Sequence, residues 1–114
     1  MALSMRTLQI KVHQLAKEKG WWEPARSFGD QIALIHSEVS EALEEFRNGN
    51  GGVRPDQMYY SDEGKPEGIA AELADVVIRV MDMAEFYGID LQEAIEMKHV
   101  YNLTRDYRHG GKAL

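Results

Sequence analysis

Ile69-Ala-Ala-Glu72-Leu-Ala-Asp75-Val-Val-Ile-Arg79-Val-Met-Asp82-Met-Ala84 decides how the rest of this 114-residue chain is read. At about 100° per residue it is a helix that is apolar around most of its circumference. Ile69, Leu73, Val76, Val77, Val80, Met81 and Ala84 cover more than half of the wheel, and Ala71 and Ile78 widen that coverage. One narrow polar sector holds Glu72, Asp75, Arg79 and Asp82. A helix of this kind is expected to be buried. Buried carboxylates are costly unless paired or metal-bound, so the acidic sector needs a partner.

A second stretch offers one. Ile35-His-Ser-Glu38-Val-Ser-Glu41-Ala-Leu-Glu-Glu45-Phe46 also has helical periodicity, with an apolar stripe of Ile32, Ile35, Val39, Ala42, Leu43 and Phe46. Glu38 and Glu41, like Glu72 and Asp75, are three residues apart and so neighbours on a helix surface. Antiparallel packing of the two helices brings all four carboxylates together. Such a group repels itself without cations, and an all-oxygen donor set suits Mg²⁺ or Mn²⁺ rather than zinc or copper. An ion pair of Asp75 with Arg79, four residues on, is the structural alternative.

Composition sets the outer limits. Hydrophobic residues are 44% and charged residues 28%, the profile of one globular domain spanning 1–114. The net charge of −6 disfavours general binding to nucleic acid or to an acidic membrane surface. With no cysteine in the chain, disulfides, thiolate metal sites and cysteine nucleophiles are excluded. The opening Met-Ala-Leu-Ser-Met-Arg is too polar for a signal peptide, and no apolar run reaches a membrane span. A cytoplasmic location is the expectation.

Four helices are expected. The first runs over 4–19 from an N-cap at Ser4, with Met5, Leu8, Val12, Leu15 and Ala16 as its apolar stripe and Gly20 as its stop. Trp21-Trp22-Glu-Pro24 is a non-helical joint. The second helix is capped by Asp30 and ends at Gly49. Residues 49–66, rich in glycine and proline, form a long loop with a weak strand signal over 53–60. The central helix spans about 67–87 and stops at Gly88. The fourth, over 91–104, has Asp90 as N-cap with Glu93 three residues on. A polar tail follows at 106–114. The expected architecture is an all-α, four-helix-type bundle. The apolar coverage of the central helix exceeds what so small a bundle can bury, so a homodimer or homotetramer is expected.

Lys98, Arg105, Arg108 and Lys112 concentrate positive charge at the end of an acidic chain. Charge complementing a helix C-terminus is one reading. Phosphate binding by Lys98 and Arg105, with His109-Gly-Gly-Lys112 wrapping an anion, is the other. Trp21 and Trp22 are adjacent and cannot both face one side, so one packs while the other is free to stack on an aromatic ligand. His13 lies off the centre of its apolar stripe and is expected at a surface or edge. No Walker loop, dinucleotide fingerprint, nucleophile elbow or His-rich metal motif is present.

Taken together, Glu38-x-x-Glu41, 30 residues, then Glu72-x-x-Asp75 resembles the MazG-like nucleotide pyrophosphohydrolases of the all-α NTP pyrophosphatase superfamily. Lys-Gly-Trp-Trp at 19–22, Lys-Pro-Glu-Gly-Ile at 65–69, the 72–82 run and Lys98-x-x-x-Asn102-x-x-Arg105 through Lys112 extend the likeness over most of the chain. The loop between the acidic pairs is longer than in many such proteins. The resemblance implies Mg²⁺-dependent cleavage of a nucleoside triphosphate to a monophosphate and pyrophosphate, with Mn²⁺ as a substitute. It implies that Glu38, Glu41, Glu72 and Asp75 hold the metal. Glu41 is then the candidate general base. Lys98, Asn102, Arg105 and Lys112 bind phosphate, and Trp21, Trp22 and His13 are the candidates beside the base. A related helical hydrolase acting on phosphoribosyl-ATP or dUTP, with nearly the same chemistry, is an alternative. A non-catalytic helical dimerisation module would retain the acidic faces without binding a divalent metal.

Overall fold

The computed structural model describes residues 3–49 and 54–107. The chain is mainly helical: α1 (Met5–Glu18), α2 (Phe28–Asn48), α3 (Ile69–Phe86) and α4 (Leu91–Leu103), with a two-stranded hairpin of β1 (Tyr59–Tyr60) and β2 (Pro66–Glu67) before α3. The hairpin is antiparallel, with Tyr59 opposite Glu67 and Tyr60 opposite Pro66. It replaces the second half of the expected loop. Among the described residues no helix is long and apolar enough to cross a membrane.

Local chemistry accounts for the helix ends. The Ser4 hydroxyl accepts from the Thr7 N–H at 3.0 Å, closing the first turn of α1. A capping box starts α2: Ser27 Oγ accepts from the Asp30 N–H at 3.0 Å while Asp30 Oδ2 accepts from the Ser27 N–H at 3.1 Å. Ser27 is thus the cap, and Asp30, expected in that role, is its reciprocal partner three residues on. Gly49 ends α2 in the left-handed conformation, at φ 64°. Asp90 caps α4 as expected, accepting from the Glu93 N–H. Gly68, at φ 107°, joins the hairpin to α3, where a Cβ would lie 3.1 Å from the Gln57 carbonyl oxygen.

α3 is the centre of the fold, packing on both α1 and α2, while α4 leans on α1. Direction follows from the pairs. On α2, Glu38 meets Arg79 and Glu41 meets Glu72, so the order on α3 is reversed. On α1, Arg6 meets Glu85 and His13 meets Asp82, reversed again. Both neighbours run antiparallel to α3.

Which faces are covered departs from the periodicity. α1 turns Gln9 and His13 to α3, and both are buried, whereas Leu8 and Leu15 of its apolar stripe are exposed. α3 supplies the reason. Its acidic residues offer acceptors: Gln9 Nε2 donates to Glu85 Oε1 at 3.0 Å and to the Ile89 carbonyl at 2.8 Å. Arg6 Nη1 donates to the same Glu85 oxygen at 2.6 Å. The stripe of α2 is covered only in part. Ala42 is buried, but Val39, Leu43 and Phe46 are exposed, as are Leu73 and Val77 on α3. Among the described residues the buried apolar core consists of Ala42, Ala71, Met81, Met83 and Ala84. The expectation that the apolar majority of α3 is buried fails within one chain: its polar sector is turned inward.

Candidate functional site

The polar sector of α3 faces the cleft between α1 and α2. One carboxylate oxygen from each of Glu38, Glu72 and Asp75 lies within 4.8 Å of the other two. Glu72 is buried and Glu38 half-buried. Residues three apart on each helix lie on one surface, and antiparallel packing places the two surfaces opposite each other. Glu41 is exposed, at the outer edge of the group and within hydrogen-bond reach of Glu72.

The electrostatics record the crowding. Glu72 is pushed up from its ordinary 4.5 to about 7, first by burial, then by the charges of Glu41 and Asp75, by its hydrogen bond with Glu41 and by Glu38. Asp75 is raised above the usual carboxylate range by burial and by Glu38, with Lys65 and Arg79 opposing. One oxygen, Glu72 Oε2, is buried with no hydrogen-bond partner. A buried carboxylate oxygen left unpaired is costly. The donor set is all oxygen, three carboxylates converge, and one of them, Glu72, carries the unpaired atom. These residues therefore fit a hard divalent cation such as Mg²⁺ or Mn²⁺.

Arg79 does not pair with Asp75. Its Nε donates to Glu38 Oε1 at 2.9 Å, crossing from α3 to α2. Its guanidinium also lies 3.9 Å from the centroid of Trp21, and that of Arg26 lies 4.4 Å from the same ring. Two guanidinium groups therefore lie against the indole, and a base stacking on Trp21 would compete with them.

A pocket of about 410 Å³ opens beside the carboxylates, within the range of small-molecule sites. Its lining includes the carboxylates Glu38, Asp75 and Asp82, the guanidinium of Arg79, the apolar Val12, Leu15, Ile78 and Trp21, and Lys19, which is exposed. Seven residues at about 1.5 Å rise put Asp82 about 10 Å from Asp75 along α3.

Asp82 was not singled out as a site residue, although it stands in the polar sector. It is buried, receiving hydrogen bonds from Trp22 Nε1 at 3.0 Å and lying 2.6 Å from His13 Nδ1. His13 is thus not at a surface or edge: it is buried beneath the pocket, edge-on to Trp22 and Phe86. Trp22 stacks on Phe86 with centroids 4.1 Å apart and planes within 2°. His13 and Trp22 hold Asp82, and of the three only Asp82 lines the pocket.

The basic series is elsewhere. Lys98, Asn102 and Arg105 are exposed, on α4 and just beyond it, and among the described residues none forms an ion pair with the acidic group. Lys98 lies over its own neighbour Tyr101, 5.6 Å from the ring centroid. Lys112, with Arg108 and His109, lies outside the described residues. Arg79 and Lys19, which sequence reasoning passed over as phosphate ligands, are the basic residues lining the pocket. The signal for Arg79 was present in the sequence: a lone cation in an otherwise acidic sector.

No family model, curated protein or solved structure matches the chain.

Proposed function

We propose that the chain is a Mg²⁺-dependent nucleotide pyrophosphohydrolase of MazG-like type, cleaving a (deoxy)nucleoside triphosphate to the monophosphate and pyrophosphate. The observation that carries this reading is the convergence of Glu38, Glu72 and Asp75, with Glu72 Oε2 buried and unpartnered and with Glu38 and Asp75 lining a pocket of about 410 Å³. Glu38, Glu72 and Asp75 would hold Mg²⁺, or Mn²⁺ in its place, with Glu41 completing the set from its open edge. When bound, the cation supplies electrostatic stabilisation of charge on the phosphate oxygens. Glu41 is exposed and hydrogen-bonded to Glu72, which fits it to accept a proton at the solvent side. The apolar wall of Val12, Leu15 and Ile78 receives the nucleoside and excludes water on that side. Asp82, oriented by His13 and Trp22, is the hydrogen-bond acceptor at the far end.

The same reading includes assembly as a homodimer or homotetramer in the cytoplasm. The support for assembly is apolar: Val39, Leu43 and Phe46 on α2, Leu73 and Val77 on α3, and Met97, Val100 and Leu103 on α4 are all about half exposed or more. Large apolar side chains left exposed on three helices are what an interface would cover. Lys98, Asn102 and Arg105 enter the phosphate site only through such an assembly.

Incubation of the purified chain with each NTP and dNTP plus Mg²⁺, with separate detection of pyrophosphate and orthophosphate, tests the reaction. Pyrophosphate is the expected product. Orthophosphate with a diphosphate, or no turnover of any nucleotide, would remove the assignment.

A further inference from the structure

Arg79 is more than a counter-ion for Glu38. A guanidinium carries five N–H donors in a rigid plane, and the structure uses one of them: Nε, on Glu38. The two Nη groups have no hydrogen-bond partner among the described residues, although the side chain is only 23% exposed and lines the pocket. The plane of the group is fixed twice over, by the Nε bond and by the face of Trp21 at 3.9 Å. Arg26 lies 4.4 Å from the centroid of the same ring and donates through its Nε to the Trp21 carbonyl at 3.2 Å. Four unspent donors on a held plane, beside three carboxylates, match a ligand with several anionic oxygens that approaches a cation held by those carboxylates.

We propose that Arg79 binds the polyphosphate of the substrate through its Nη groups while its Nε keeps Glu38 oriented toward the metal. This rests on the pyrophosphohydrolase reading for the identity of the substrate. It assigns the phosphate contact to a residue of the acidic helix itself rather than to α4. Lysine would keep the charge but not the fork, since an ammonium cannot serve Glu38 and a phosphate in one fixed plane.

The test compares wild type with Arg79→Lys and Arg79→Gln in the full chain, with thermal melts as the folding control. Mn²⁺ alone probes the carboxylates, inorganic tripolyphosphate with Mn²⁺ probes the phosphate contact, and nucleotide turnover supplies KM and kcat. In Arg79→Lys, Mn²⁺ affinity stays near that of wild type, tripolyphosphate affinity falls about ten- to a hundredfold, and KM rises more than kcat falls. Arg79→Gln loses at least as much and provides the comparison should the lysine variant fold poorly. Wild-type tripolyphosphate affinity in both variants overturns the proposal. So does a loss of Mn²⁺ affinity that fully accounts for the loss of tripolyphosphate, because Arg79 then acts only through Glu38. A wild-type chain that binds tripolyphosphate through Arg79 but releases no pyrophosphate from any nucleotide upholds the contact and removes the reaction instead.

Discussion

His13 Nδ1 and Asp82 Oδ1 lie 2.6 Å apart between α1 and α3, each side chain about nine-tenths buried. The Trp22 indole N–H closes the other side of the same carboxylate. Removing the carboxylate leaves two buried polar groups unpaired. Asp82→Ala is therefore expected to cost about 3 kcal/mol of stability. The double variant His13→Ala/Asp82→Ala should cost less than the two single losses added, by more than about 1 kcal/mol. Urea melts of the four proteins measure this. Strict additivity would mean that the pair is not coupled.

Glu72 makes stability depend on pH without metal. Its carboxyl titrates near 7 in the folded chain and near 4.5 when unfolded. Between those values the folded chain keeps a proton that the unfolded chain has released. The stability from this group is complete below the unfolded value and is lost as pH rises through 7. The full difference is on the order of 3 kcal/mol. Asp75 is shifted the same way. Denaturant melts in chelator are expected to weaken from about pH 5 to about pH 8, and Glu72→Gln should remove most of that slope. An unchanged slope in the variant would place the titration elsewhere.

Divalent metal should reverse that trend. Mg²⁺ or Mn²⁺ binds the ionised carboxylates, so affinity rises with pH through 7 and the melting temperature climbs with metal concentration. Glu38→Gln and Asp75→Asn keep shape and remove ligand charge. Both are expected to fold and to lose turnover and the metal-induced rise. In chelator Asp75→Asn, relieved of carboxylate repulsion, should be at least as stable as wild type, whereas Glu38→Gln, which leaves the part-buried Arg79 without its counter-charge, should not gain. Calorimetric titration with Mn²⁺ alongside melts checks each part. A variant that keeps its metal response is not missing a ligand.

Much of this arrangement is legible in the sequence. Ser4, Gly20, Gly49, Gly88 and Asp90 mark helix ends because capping and positive φ are local requirements. The acidic pairs are legible because spacing on one helix is also local. The choice of face is not. Gln9 and His13 turn inward only because Glu85 and Asp82 of another helix offer acceptors, and the periodicity of α1 carries no record of α3. For the same reason Arg79 is seen in the acidic sector while its partner is not: Asp75, four residues back along the helix, and Glu38, across the cleft, compete, and Glu38 wins. The exposed placement of α4 has no sequence signal, since Asp90 and Leu91 specify where the helix starts and not what it lies against.

The uncovered apolar residues predict an assembly. Sedimentation of the wild type should give a dimer or tetramer. Phe46→Glu, at a side chain 67% exposed in the single chain, should shift it toward monomer while leaving helical content by circular dichroism unchanged. Wild type running as a monomer at all accessible concentrations would leave that surface for another partner.

The seam between α1 and α3 is written in hydrogen bonds rather than in oil. Arg6 and Gln9 share Glu85, and His13, four residues after Gln9, takes Asp82, three residues before Glu85. Leucines facing leucines would tolerate a slide by one helical turn with modest loss. Here a slide of about 5 Å strands every donor at once. The two helices work like a toothed key and its lock, with one engaged position and no near neighbours. The wall that α1 lends to the pocket is therefore set to a single height against the carboxylates on α3.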